Sequence, residues 1–432
     1  MLKVVELENF RAFSKRVRFE FKPITVLIGR NSSGKSSLLK WLQMARQSVQ
    51  GDGEREFLSP NGDHVELGAW NDLRNRRAKS RKHKFAIELE AKLSPLQVSA
   101  DVGRRFGNGN TGDEGGKSMF YEGSPLSVCR VRGEVMYQLD PSFGLQEIVI
   151  TKRDGGRLYS NTIRNLKGSS LLNPRKVPGE DLLISMADDL RFLDPARKVI
   201  GNVKHLSALR QDTRGVIELR MPTAGDVGHE GQHCLQHLVS ILTDGARKGP
   251  DQLDFILRHS RTVLHVDNLK VHRTGEGLVL RPEGTNMDTK ASHRLSDFGF
   301  GVSQALPLFV QGAIMGDGET LTVEQPEAQL HPTAQLELGS FFAELWRMRG
   351  VASIIESHSG NVLLRLKHLV RKGELSPDDV GVCYVLPVNG TTVVRNLRMK
   401  ADGDLEDGLE MEFFGADVFE AIEVNAQPKL RK

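Results

Sequence analysis

The residues best placed to do chemistry are Ile28-Gly29-Arg30-Asn31-Ser32-Ser33-Gly34-Lys35-Ser36-Ser37. Their spacing is Gly-x-x-x-x-Gly-Lys-Ser without mismatch, the pattern of a loop whose backbone N–H groups surround phosphate oxygens. The glycines let the chain turn tightly enough to point those N–H groups inward. Lys35 can reach the β- and γ-phosphates, and the Ser36 hydroxyl can ligate Mg2+. Asn31, Ser32, Ser33 and Ser37 complete the loop. The apolar, β-branched run Ile24–Ile28 reads as a buried strand, and Leu38–Ala45 reads as a helix. Strand, loop and helix form the setting the motif requires, and the helix start adds partial positive charge. The expected ligand is a nucleoside triphosphate.

Two later strand ends supply acids and a histidine. Leu321-Thr322-Val323-Glu324-Gln325-Pro326-Glu327 is a short apolar strand that ends in polar residues and is stopped by proline. Glu324 is the expected metal-side acid, acting through water. Val351–Ile355 is another buried strand, followed by Glu356-Ser357-His358-Ser359. That places His358 at the same sheet edge, where a neutral imidazole could contact the γ-phosphate or its attacking water. Between these regions, Leu295-Ser296-Asp297-Phe298-Gly299-Phe300-Gly301-Val302-Ser303-Gln304 precedes the apolar helix Ala305–Met315. Small residues at a helix start make an anion-binding end. The phosphate loop already surrounds a triphosphate in its own subunit, so this end is expected to meet that of a second subunit.

The remaining chain must position these groups. It opens with strands at Leu2–Leu7 and Val17–Phe21 around the turn Asn9-Phe10-Arg11-Ala12-Phe13, where Phe10 reads as core in preference to a base-stacking ring. The most basic run spans Arg74, Arg76, Arg77, Lys79, Arg81, Lys82 and Lys84. It reads as a solvated hairpin or loop, with contact to a nucleic acid backbone or an acidic partner surface as the alternative; it holds no aromatic residue to stack on bases. Gly116-Lys117-Ser118 imitates a second phosphate loop, but Thr111 stands where its first glycine belongs. Asp113 and Glu114 would also repel phosphate. Strand runs follow at Ser127–Arg132, Glu134–Leu139 and Gln146–Thr151, with turns at Asp140-Pro141 and Asp154-Gly155-Gly156. They read as an antiparallel sheet beside the main one. From 178 to 270 the periodicity is largely helical, as in Asp181–Phe192 and Gln232–Ala246. His233 and His237 are four apart, but Cys234 points off their face and no carboxylate accompanies them, so a metal site is not expected.

Composition sets the outer bounds. The chain has 432 residues, 39% hydrophobic and 26% charged, with a formal charge of +4, as in ordinary globular material. The charge is too mild to name a partner. No apolar run approaches the roughly 20 residues needed to span a bilayer, and the N-terminus lacks the pattern of a signal peptide. Cys129, Cys234 and Cys383 are few and scattered, which suits a reducing cytoplasm. After Val380–Leu397, read as two strands, come the acidic stretch Asp402–Asp407, read as a solvated loop, and the pair Phe413-Phe414.

Taken in order, these motifs resemble the ABC-class ATPases of the RecF/SMC/OLD (overcoming lysogenisation defect) group, most closely the AAA_15-type branch. The match is close over roughly 1–50 and 290–365, with a weaker echo at His205-Leu206-Ser207-Ala208-Leu209-Arg210. The resemblance implies an α/β fold: an ABC-type head with a mixed central sheet, an antiparallel β subdomain and an inserted helical lobe. Expected boundaries are 1–95 and 291–400 for the head, 96–175 for the β subdomain, 176–290 for the lobe and 401–432 for the tail. It implies ATP and Mg2+, with Gly301, Ser303 and Gln304 as a signature motif acting in trans. Glu324 matches the Walker B acid, Pro332–Gln335 the D-loop and His358 the switch histidine. The Q-loop has no clear counterpart and is placed near Gly68–Leu73.

Two positions depart from the family pattern. Gln325 stands where the general-base glutamate is usual; an amide can orient water but cannot take its proton. Either Glu327 supplies the carboxylate or turnover is slow. Gln329, where relatives often have histidine, is read as minor. OLD-type nucleases continue into an acid-rich nuclease domain, and the tail here is too short for one. The resemblance therefore implies a head that dimerises around ATP and regulates a separately encoded nuclease or toxin, as in bacterial anti-phage systems. The alternatives are a DNA-acting repair ATPase like RecF, using the basic run, and an ATP-locked scaffold with little hydrolysis.

Overall fold

A computed structural model describes residues 1–50, 60–79, 82–91, 127–136, 143–154, 157–167, 194–211, 217–218, 225–248, 250–274 and 279–406. The Gly116-Lys117-Ser118 loop, the expected helix at 181–192, Arg81, the Asp140-Pro141 turn and the Phe413-Phe414 pair lie outside those residues.

The main sheet is built from β3 (Ile24–Ile28), β8 (Val203–Leu206), β13 (Thr320–Glu324), β14 (Ala352–Glu356), β15 (Val380–Val388) and β16 (Thr391–Arg398). Their spatial order is β16-β15-β3-β14-β13-β8. The five strands from β15 to β8 are parallel and β16 is an antiparallel edge. Parallel strands buried on both faces read as unbroken apolar runs, and all five residues of β3 are buried. The two faces still separate by alternation. Ile24, Val26 and Ile28 join one core and Leu27 the other. Val382 and Tyr384 against Cys383 and Val385 repeat the pattern in β15.

On one face lies α1 (Lys35–Gln50), covered in turn by a second, antiparallel sheet. That sheet comprises β1 (Leu2–Glu8), β2 (Val17–Glu20), β4 (Lys82–Ala91), β5 (Ser127–Met136), β6 (Phe143–Asp154) and β7 (Arg157–Lys167), in the order β2-β1-β4-β5-β6-β7. One sheet thus crosses the expected 95/96 boundary. The runs expected at 127–132 and 134–139 form the single strand β5, whose pairing with β6 shifts register at Arg132/Gly133. Asn396 joins the two sheets, accepting from the Glu20 N–H and donating to the Arg18 carbonyl, both at 3.0 Å. Phe10 is fully buried, in agreement with the core reading.

The other face is covered by α4 (Cys234–Lys248), α5 (Pro250–Leu264), α6 (Phe300–Ile314), α7 (Pro332–Arg349) and α8 (Gly360–Arg371). The shorter helices are α2 (Trp70–Leu73) and α3 (Asp194–Gly201). A small sheet pairs β10 (Val266–Thr274), β11 (Val279–Asn286) and β12 (Ser292–Arg294), with β9 (Ile217–Glu218) on β11. The stretch expected to be a helical lobe therefore also holds β8, an edge strand of the main sheet, and three strands of the small one, β9, β10 and β11. The four residues of β8, only two of them apolar, were too few to break a helical period. Among the described residues, no helix is long and apolar enough to cross a membrane.

Candidate functional site

Parallel sheets place ligand sites beyond the carboxyl ends of their strands. Here β3, β14, β13 and β8 all release their polar residues at that one edge. The phosphate loop leaves β3 with left-handed backbone at Gly29 (φ 144), Ser32 (φ 60) and Gly34 (φ 114). Both glycines are also required by space. A Cβ at Gly29 would stand 2.2 Å from the Val385 carbonyl oxygen, and one at Gly34 would stand 2.8 Å from Ala12 Cβ. Lys35 is buried, and its Nζ donates to the carbonyls of Gly29 at 2.8 Å and Arg30 at 3.0 Å. Burial holds its pKa below the ordinary lysine value, against the pull of Glu356. Ser33 Oγ is buried without a partner. The buried ammonium and this orphan hydroxyl fit a polyphosphate.

The acids stand next to the loop. Ser36 Oγ lies 3.0 Å from both oxygens of Glu356. Glu356 ends β14 and is the register neighbour of Glu324 on β13. Burial first, then the charge of Glu324, raises the Glu356 pKa from 4.5 to about 7; Lys35 and Ser36 pull it back. Burial likewise raises Glu324, against Lys40 and Arg210. Ser36, Glu324 and Glu356 are thus the groups able to hold Mg2+ against a phosphate. His205 Nε2 lies 3.8 Å from Glu324, but burial lowers its pKa to about 3. The imidazole is neutral, so this contact is not an ion pair.

Glu327 is buried, and its Oε1 accepts from the N–H groups of His358 at 2.8 Å and Ser359 at 3.3 Å. Its carboxylate therefore anchors the loop that carries His358, with Oε2 left buried and unpartnered. His358 itself is exposed at the edge, with its pKa lowered by partial burial and by Lys35. Gln335, in the expected D-loop, ties the same two segments. Its amide N donates to the Leu330 carbonyl at 2.9 Å while its oxygen accepts from Ser359 Oγ at 2.7 Å and Asn361 at 2.9 Å. Gln325 turns the chain out of β13 with φ 44, its N–H donating to the Glu356 carbonyl at 2.7 Å.

The signature segment sits apart. Gly299 caps α6, and Gly299 and Phe300 are exposed, Gly301 is half-buried, and Ser303 and Gln304 are buried within their own subunit. Arg210 holds this helix beside β13. Its Nη1 donates to the Gln304 carbonyl at 2.8 Å and its Nη2 to the Glu324 carbonyl at 2.9 Å. The strand to which Arg210 ties this helix, β13, is two strands from β3 in the main sheet.

Of the expected site residues, Gly29–Ser37, Glu324, Gln325, Glu327 and His358 share one edge, and Gly301, Ser303 and Gln304 stand at its far side. Sequence reasoning assigned no role to Glu356 or Arg210. The strand-end position of Glu356 matches that of Glu324 and was a usable signal; Arg210 had none beyond the weak echo around it.

The other expected regions resolve as follows. Gly68–Leu73 lies by the Asn9–Phe13 turn, where the Arg11 N–H donates to the Leu73 carbonyl at 2.6 Å. The basic run is partly structural. Arg74 donates to the Ala78 carbonyl, Arg77 to the Gly390 carbonyl, and Lys84 pairs with Glu8. Lys82–Lys84 belong to β4 and not to a loop, with His83 fully buried between Trp41 and the Glu8 carbonyl. Arg76 and Lys79 are exposed. His237 contacts the Asp226 carbonyl at 3.1 Å, and no metal-holding group of three or more His, Cys, Asp or Glu occurs among the described residues.

The AAA_15 family model, an AAA ATPase domain, matches residues 1–94. No curated protein matches the chain. Among solved structures it is similar to an SMC head bound to the C-winged-helix domain of ScpA. The identity is 14% over 92% of this chain and 98% of that one, with a TM-score of 0.48. It is also similar to the SMC head domain from Thermotoga maritima, at 12% identity over 91% and 98%, TM-score 0.39. A third is an Smc head with extended coiled coil bound to the C-terminal domain of ScpA derived from Pyrococcus furiosus, at 12% identity over 98% and 99%, TM-score 0.43. Residues 1–94, which carry the phosphate loop, are thus similar to an AAA ATPase domain.

Proposed function

We propose that this chain binds and hydrolyses ATP with Mg2+, closes head to head with a second copy, and thereby regulates a separate nuclease or toxin effector in anti-phage defence. The observation that carries the dimer is the exposed start of α6. It is a helix end of the anion-binding kind, tied through Arg210 to β13, two strands from the β3 that leads into the phosphate loop. On this reading it meets the triphosphate of another copy. In that arrangement Lys35 and the loop N–H groups bind phosphate, Ser36 with Glu324 holds Mg2+, and His358 meets the γ-phosphate. ATP supplies the energy of closure and hydrolysis would reopen the pair. The effector rests on the resemblance of the ordered motifs to stand-alone heads of that kind. The internal bonds of Arg74, Arg77 and Lys84 weaken the DNA-acting alternative.

Ser303 is a poor probe of the trans contact, because it is 4% exposed and arginine there would disturb the packing of α6. Gly299 is the better one. A Cβ there meets nothing within 4 Å, and its φ of −57 suits any residue. Gly299→Glu places a negative charge where the partner's phosphates would lie. It should bind ATP within about twofold of the native chain and fail to associate on adding ATP-Mg2+, read by light scattering. Equal association by Gly299→Glu would sink the head-to-head reading.

A further inference from the structure

Arg210 is a buried cation, 5% exposed, in the stretch after β8, and it joins two segments of the candidate site. Its position follows from the sheet. The β8–β13 ladder ends at the pair Leu206 and Val323, so the Glu324 carbonyl lies beyond it and needs another donor. Arg210 Nη2 is that donor at 2.9 Å, and Nη1 reaches the Gln304 carbonyl of α6 at 2.8 Å. Gln304 answers with its amide N, 3.5 Å from the Arg210 carbonyl. The remaining Nε is buried without a partner. Glu327 and Glu324 favour the buried charge, and burial brings its pKa down to about 10.

A planar guanidinium holds two acceptors in fixed relation, which an ammonium on a flexible stem does not. The two acceptors here belong to different halves of the proposed machine. One is the helix whose start meets the second copy's nucleotide; the other is the strand end carrying the metal-side acid of the subunit's own nucleotide. We infer that Arg210 is a positioning residue that couples them, so that the α6 start and the Glu324 end of β13 shift as one body. Engagement by a second copy then sets the Glu324 backbone, and Mg2+ at Glu324 sets the helix start. By reciprocity, Mg2+ must strengthen ATP-driven association through this link. ATP binding to a single subunit without Mg2+ does not use it. The inference rests on the head-to-head reading.

The test compares the native chain with Arg210→Lys. It measures melting midpoint, ATP affinity in EDTA, and the concentration for half-association in ATP with Mg2+ or with EDTA. The native chain should associate at least about tenfold more tightly with Mg2+, within the usual range of coupling between sites. Arg210→Lys should keep its ATP affinity within about twofold while that Mg2+ factor falls below about threefold. A residue that merely stabilises the fold would shift the melt and leave the factor alone. A folded Arg210→Lys with the native factor overturns the inference and leaves the dimer standing. A native chain that does not associate with ATP at all overturns the head-to-head reading itself. If Arg210→Lys melts early, Arg210→Ala is assayed with and without millimolar guanidinium. A factor that rises with guanidinium supports the link, and one that does not overturns it.

Discussion

The two halves of the nucleotide edge are built on opposite terms. The phosphate-loop half is local. From Gly29 to Ser36 the bonds that shape the loop come from neighbours in sequence, with left-handed glycines, Lys35 on the carbonyls of Gly29 and Arg30, and a helix start directly behind. Val385, Ala12 and Glu356 close round it from elsewhere in the chain. The signature half is assembled from afar. Gln304, Glu324 and Arg210 meet through contacts spanning 94 and 114 residues. Glu327 crosses 31 residues to hold the His358 backbone. The difference teaches where tolerance should lie. A local loop fails by steric strain at single positions, whereas a long-range bridge fails when a buried donor or acceptor loses its partner.

The largest effect expected is at Gly29. Gly29→Ala combines a φ of 144 with an approach of 2.2 Å to backbone at Val385. It should cost about 3 kcal/mol or more and abolish ATP binding, read by urea unfolding and nucleotide titration. A near-native midpoint would show that the local half is looser than its geometry. In the long-range half, Glu327→Ala should cost about 1–2 kcal/mol. It strips the acceptor from two N–H groups, while the loss of its unpartnered Oε2 offsets part of the penalty. Hydrogen exchange at His358 and Ser359 should rise with it, and unchanged protection there would remove Glu327 as the anchor.

The smallest effect is a pH slope at the junction of the halves. Glu356, raised from 4.5 to about 7, keeps a proton in the folded chain that the unfolded chain releases. Its contribution is full below about 4.5 and is lost as pH rises through about 7, a full loss of about 3 kcal/mol. Without Mg2+, the native chain should lose about 2 kcal/mol more stability between pH 5 and pH 7.5 than Glu356→Gln. Parallel slopes would mean that the carboxyl is already ionised at pH 5.

Legibility in the sequence followed the same division. The phosphate loop, its flanking strand and helix, and the strand-end residues Glu324 and His358 were readable because apolar periodicity and a fixed-spacing motif are properties of contiguous residues. The one-residue alternation that sends Val26 and Leu27 to different cores was hidden, since both are apolar and a doubly buried strand shows no polar face. The edge strand β8 was absorbed into a helical reading because four residues carry too little period. The basic run is largely solvated, with Arg76, Arg77, Lys79 and Lys84 exposed, but Arg74 and Arg77 also donate to carbonyls and His83 packs into the core.

What the sequence determined by itself was the chemistry on offer: a phosphate loop with Lys35 and Ser36, acids and a histidine at strand ends, and a small-residue helix start. The tertiary structure alone decided which of those groups meet. It gave Ser36 the buried Glu356 carboxylate, committed Glu327 to the loop that carries His358, and buried Ser303 while exposing Gly299. It also set a single guanidinium between a helix and a strand. The reason is physical. Backbone preference and hydrophobic period act over a few residues. Desolvation, hydrogen-bond completion and steric room are instead set by whatever the folded chain brings within a few ångströms.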